Sequence, residues 1–133
     1  MRRYVTDTHA LLRYSGAGRG RLPQRVRRVF QRCEAGRAGI LVPVVVAWET
    51  ALLVEDGVIA LQPSFAQWWD RLAGMPNYGV VPLDLEVVKA AYGLRVLTDP
   101  SDRLIVATAL TLGLQLITGD SAITDSGLVP IFW

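Results

Sequence analysis

Cysteine, histidine and lysine are nearly missing from this 133-residue chain, which has one of each: Cys33, His9 and Lys89. A lone cysteine excludes an intramolecular disulfide framework and points to a reducing compartment such as the cytoplasm. One histidine with one cysteine excludes a zinc site built from those ligands, and His9 belongs to no H-E-x-x-H pattern. With Lys89 as the sole lysine there is no P-loop. The glycine run Gly16, Gly18, Gly20 misses the dinucleotide fingerprint, because Arg21 stands where its third glycine is needed. Long apolar runs are lacking too: the stretch Ala38 to Thr50 carries Glu49 and falls short of the roughly 20 residues that span a bilayer. The opening residues Met1 to Asp7 contain no apolar core of a secretory leader, so no membrane partner is expected.

What is present fits one compact domain over residues 1–133, with 51% apolar and 20% charged residues. The formal charge of +2 hides an asymmetry. Residues 1–37 hold ten arginines against Asp7 and Glu34, or +8; residues 38–133 hold four basic and ten acidic side chains, or −6. Arginine presents a planar fork that suits phosphate, and its clustering in one part of the chain suggests an anionic partner.

Short apolar runs alternate with helical patterns along the chain. Strands are predicted at Tyr4–Thr6, Gly39–Val42, Val80–Leu83, Gln115–Thr118 and Leu128–Phe132, the third an edge strand because of Pro82. Helices are predicted at His9–Tyr14, at Leu22–Ala35, from Pro43 to about Asp56, at Gln67–Leu72, from Leu85 to about Leu94, and from Pro100 to Leu112 behind the Asp99 cap. The helix at Leu22–Ala35 is amphipathic, with arginines opposite Val26, Val29, Phe30 and Cys33. This alternation implies an α/β domain with three α/β/α layers and a parallel sheet of four to five strands.

The chemistry lies in the carboxylates. Asp7 ends the first strand and Asp120 follows the fourth, so both fall at the carboxyl edge of a parallel sheet, where ligands bind. Each also suits a structural role, Asp7 as a helix cap and Asp120 as a turn residue. Glu49 is the only charge between Arg37 and Glu55, and its helical neighbours are apolar. An ionised carboxylate in such a setting is costly unless it is paired or bound to metal. Asp102 stands at the third position of a buried helix, where it also suits a capping box, and Asp99 is that helix's cap. Converging in one cleft, these acids would repel one another unless divalent cations neutralise them, and oxygen-only donors select Mg²⁺ or Mn²⁺. Such ions activate water for in-line attack on a phosphodiester. The arginines at 19, 21, 25 and 28 are the expected contacts to the phosphates of such a substrate, on electrostatic grounds alone. The pairs Trp68-Trp69 and Phe132-Trp133 are expected in the core or at a dimer contact rather than as a base-stacking platform.

Four stretches then resemble, in order and spacing, the PIN-domain ribonucleases, in particular the toxin halves of VapBC-type toxin–antitoxin pairs. They are Val5-Thr6-Asp7-Thr8-His9-Ala10-Leu11-Leu12, Ala47-Trp48-Glu49 ahead of Gly57, Asp99-Pro100-Ser101-Asp102 through Leu110, and Leu116-Ile117-Thr118-Gly119-Asp120. The resemblance covers essentially the whole chain. It implies a PIN-like fold, Mg²⁺- or Mn²⁺-dependent endoribonuclease activity on an RNA such as tRNA or rRNA, a cognate antitoxin and a homodimer. It also implies that Asp7, Glu49, Asp102 and Asp120 are catalytic metal ligands, with Asp99 as an extra, and that Thr8 and Thr118 orient the carboxylates. Many relatives have a serine near the end of the second strand, where this chain has Val42-Pro43. The alternative is a non-catalytic PIN-like module that binds RNA or regulates. A phosphoacceptor regulatory domain is disfavoured, because its late-strand lysine has no counterpart when Lys89 falls on a helix.

Overall fold

A computed structural model describes residues Met1–Trp133. The strands β1 (Arg2–Thr6), β2 (Ala38–Pro43), β3 (Tyr78–Val81), β4 (Gln115–Ile117) and β5 (Ile131–Phe132) form one parallel sheet in the order β3-β2-β1-β4-β5. Tyr4, Val5 and Thr6 are consecutive and all buried, as are Leu116 and Ile117, so both faces of the sheet are covered. The chain winds from β1 through β2 to β3 on one side and returns to β4 and β5 on the other, which makes the gap between β1 and β4 the topological switch point.

The helices are α1 (Thr8–Ser15), α2 (Gln24–Glu34), α3 (Val44–Glu55), α4 (Phe65–Gly74), α5 (Leu85–Ala91), α6 (Pro100–Leu112) and α7 (Ser121–Ser126). The amphipathic pattern of α2 decides its orientation: Val26, Val29, Phe30 and Cys33 are buried, and Arg25, Arg28 and Arg32 are exposed. In α6 the five consecutive residues Ile105–Ala109 are buried, because the helix is packed against the sheet and against α3 and α5. The exposed Leu110 and Leu112 show that its apolar surface is not covered all round.

Two expectations need correction. The third strand is Tyr78–Val81 rather than Val80–Leu83, since Pro82 has no N–H to extend the ladder and Tyr78 is buried in the core; the strand does lie at the sheet edge. The segment after Asp120 is a helix, α7, rather than a simple turn. Its six residues bury only Ile123, too little for a helical pattern to show in the sequence.

Candidate metal centre

The carboxyl edge of the sheet is built from helix caps. Asp7 follows β1, and its Oδ1 accepts from the Ala10 amide at 2.8 Å, capping α1. Asp120 caps α7 in the same way, with Oδ1 accepting from Ile123 N at 3.0 Å. Asp99 caps α6, accepting from the amides of Ser101 and Asp102 at 2.8 and 3.3 Å. Capping satisfies amides that the first helical turn leaves free, and it points each carboxylate at a positive helix end. Because all three caps lie at one edge, structural and chemical roles coincide in them.

Two threonines join these elements. Thr118 Oγ1 donates to Asp7 Oδ2 at 2.5 Å and accepts from the Asp120 amide at 3.1 Å, linking the ends of β1 and β4. A hydroxyl has one proton and two lone pairs, so both bonds are satisfied together. Thr8 Oγ1 donates to Glu49 Oε1, also at 2.5 Å, and holds the α3 carboxylate against the start of α1. Asp102 has no such partner. Its carboxylate accepts no hydrogen bond, so the capping-box role open to it in the sequence is not realised.

Asp7, Glu49, Asp99, Asp102 and Asp120 line one cleft with Thr8, His9 and Ile105. None of the five carboxylates forms an ion pair, since the molecule's single one, Lys89–Glu86 at 3.6 Å, lies elsewhere; His9 is the one basic side chain in the cleft, and its charge lowers Asp7 and Glu49 without outweighing burial. Protonation reflects that imbalance. Burial raises the Asp7 carboxyl above its usual range, against the lowering effect of the Thr118 and Ala10 hydrogen bonds. Burial likewise raises Glu49, opposed by the Thr8 hydroxyl and reinforced by the charge of Asp99. Asp102 is pushed up to about 7, first by burial and then by the charges of Asp99, Asp120, Glu49 and Asp7. As oriented, no three of these groups are close enough to hold one ion. The donor chemistry nonetheless suits a hard divalent cation, being all oxygen, strongly anionic and unpaired.

A family model described as "PIN domain" matches residues 4–126, a span that contains all five acids. The chain belongs to the PIN domain family. Among solved structures, this PIN domain is similar to FitAcB from Neisseria gonorrhoeae, with 17% identity, a TM-score of 0.68, and 98% of this chain and 96% of that chain covered. It is similar to VapBC2 from Rickettsia felis bound to a DNA fragment from their promoter (12% identity, TM-score 0.70, 98% of both chains covered). It is also similar to DNA-bound VapBC from Salmonella typhimurium (15% identity, TM-score 0.66, 99% and 98% covered). Identities this low establish the shared fold. No curated protein matches.

The arginines singled out in the sequence lie apart from the acids of this PIN domain. Arg19, Arg21, Arg25 and Arg28 are exposed, and none of them lines the acidic cleft. Arg25 instead stacks over Phe132, 4.6 Å from the ring centroid. The arginine that does reach the cleft region is Arg13, on α1. Its position one helical turn after His9, itself two residues beyond Asp7, was the available signal. The aromatic pairs also divide. Trp69 is buried and donates to Thr50 Oγ1 at 3.0 Å, and Phe132 packs edge-on against Tyr4, whereas Trp133 stands beside Asp7 and Asp120.

Proposed function

We propose that this PIN domain is a Mg²⁺- or Mn²⁺-dependent endoribonuclease and the toxin half of a VapBC-type toxin–antitoxin pair. The observation that carries the reading is the cleft at the β1/β4 switch point, where five carboxylates meet around a single histidine and none of them is ion-paired. Asp7, Glu49 and Asp102 hold the ion in this reading, Asp120 completes a second position, and Asp99 is an additional donor. A bound divalent ion supplies Lewis acidity, which lowers the pKa of a water and screens the charge of the phosphodiester. The protein's part is orientation. Thr118 and Thr8 keep Asp7 and Glu49 at the cleft through one oxygen each, and the caps hold Asp99 and Asp120 at the same edge, so that a turn of these side chains suffices to close on the ion. The exposed arginines at 19, 21, 25 and 28 add attraction for the RNA backbone over a longer range.

The toxin assignment is supported by the structural neighbours, which include toxin–antitoxin complexes. A cognate antitoxin and a homodimer belong to the same reading, and co-expression followed by measurement of the co-purified stoichiometry checks both. No helix is long and apolar enough to cross a membrane.

The deciding experiment incubates total tRNA and rRNA with wild type and Asp7→Asn in Mg²⁺, in Mn²⁺ and with a chelator. Discrete cuts that require metal and vanish in the variant are expected. Cleavage that persists in Asp7→Asn or in chelator overturns the mechanism. A folded, antitoxin-free protein that binds RNA without cutting it is the non-catalytic module instead.

A further inference from the structure

The acidic cleft adjoins a second hollow with which it shares part of its wall. Asp7, His9 and Asp120 belong to both hollows, and Arg13, Gly119 and Trp133 line the second alone.

Arg13 is held by its stem. Its Nε donates to the Arg19 carbonyl at 3.0 Å, and its guanidinium lies over Gly20, where a Cβ would come within 3.4 Å of Nε. The other donors of its fork have no acceptor in the protein, and no carboxylate stands within ion-pair distance even though Asp7 and Asp120 line the same hollow. A fixed guanidinium with free N–H groups beside an acid-rich site is matched to phosphate, which it grips in bidentate fashion.

Trp133 is held by its ring. A Cβ on Gly119 would stand 2.4 Å from Cε2 and Cζ2 of the indole, so only glycine leaves room for the ring against the β4–α7 loop. Gly119 has no left-handed φ, which makes the requirement one of space and not of backbone conformation. The indole remains partly exposed in the hollow. A seated, half-open aromatic ring close to a phosphate-binding group suits stacking of a nucleobase, which every base offers through its π-face.

We infer that Arg13 and Trp133 form a nucleotide subsite flanking the metal centre, in which Arg13 grips an RNA phosphate next to the scissile one and Trp133 stacks on the attached base. The inference rests on the nuclease reading and adds to it how the strand is held.

The test measures binding of a short, labelled, single-stranded RNA of mixed sequence by fluorescence anisotropy, in Mg²⁺ and over a range of salt concentrations. The parent is the cleavage-deficient Asp7→Asn protein, compared with the same protein carrying Arg13→Gln, Trp133→Leu or Gly119→Ala; circular dichroism verifies each fold. Arg13→Gln should weaken binding roughly 10-fold and reduce the slope of log affinity against log salt by about 0.7, the value for one lost single-strand phosphate contact. Trp133→Leu should also weaken binding roughly 10-fold but leave the slope unchanged, since stacking displaces no counterion. Gly119→Ala, whose methyl takes the space of the indole, should reproduce Trp133→Leu. Parental affinity and slope in Arg13→Gln, or parental affinity in both Trp133→Leu and Gly119→Ala, overturn the subsite while the nuclease reading stands on wild-type cleavage. A wild type that neither binds nor cleaves RNA overturns that reading and the subsite with it.

Discussion

Asp7 combines two duties in one carboxylate, with Oδ1 closing the first turn of α1 and Oδ2 bound by Thr118. Substitutions separate the two. Asparagine caps helices about as well as aspartate, so Asp7→Asn should keep its melting temperature while losing cleavage; Asp7→Ala should also lose about 1 kcal/mol of stability in denaturant titrations. Thr118→Val removes the hydroxyl but no ligand, and metal affinity measured by titration calorimetry should fall about 10- to 100-fold. Asp102 makes the pH prediction. Its folded pKa of about 7 lies above the ordinary 3.8, so the folded chain keeps a proton that the unfolded chain has released between those values. Its contribution to stability is therefore full below the ordinary value and is lost as pH rises through about 7. In chelator, wild type should lose more melting temperature between acidic and mildly alkaline pH than Asp102→Asn does. An equal loss in both proteins would show that Asp102 is not the group responsible.

At the scale of elements, the site is an arrangement of helix starts. α1, α6 and α7 each begin at the carboxyl edge with an aspartate cap, and α3 passes beside them with Glu49 in mid-helix. Local rules foresaw most of this, because an N-cap, a proline and a glycine stop are properties of neighbouring residues. Thus Asp99-Pro100 marks the start of α6 and Gly57 follows α3, whose cap position is Pro43 and which has no side-chain cap. The short α7 escaped, as did the true start of β3, since both depend on what packs against them. α2 shows the energetic side of the same point. Phe30 is fully buried and stacks on Tyr14 at 4.6 Å between ring centroids, so Phe30→Ala should cost about 3–5 kcal/mol in a chemical denaturation curve. Arg28→Ala on the exposed face of the same helix should change stability by no more than about 0.5 kcal/mol.

For the whole molecule the governing feature is charge that folding leaves unneutralised. None of the arginines forms an ion pair, and none of the cleft acids does either. A ligand that brings both signs, an anionic chain with divalent cations, complements this surface. Mn²⁺ should raise the melting temperature of wild type by mass action, by an amount equivalent to about 2.7 kcal/mol at a hundredfold excess over its Kd. Glu49→Gln should blunt that rise, and scanning fluorimetry reads it without any cleavage assay.

The sequence by itself determined the order of the strands and of every helix but α7, the amphipathic face of α2 and which acids fall at the carboxyl edge, because each is written in short-range spacing. Turn chemistry, capping and periodicity act between residues a few positions apart. Only the tertiary structure decided that Glu49 meets Thr8 across 41 positions and that Thr118 reaches Asp7 across 111. It also decided which arginine and which tryptophan stand beside the acids. Composition pointed to the basic segment as a whole and placed the Phe132-Trp133 pair in a core or dimer contact. The contact of Trp133 with Gly119 and the tether from Arg13 to Arg19 depend on β5 lying parallel to β4 and on the loop after α1 folding back over that helix. Such contacts arise when distant segments are brought together by packing, and no local pattern encodes them.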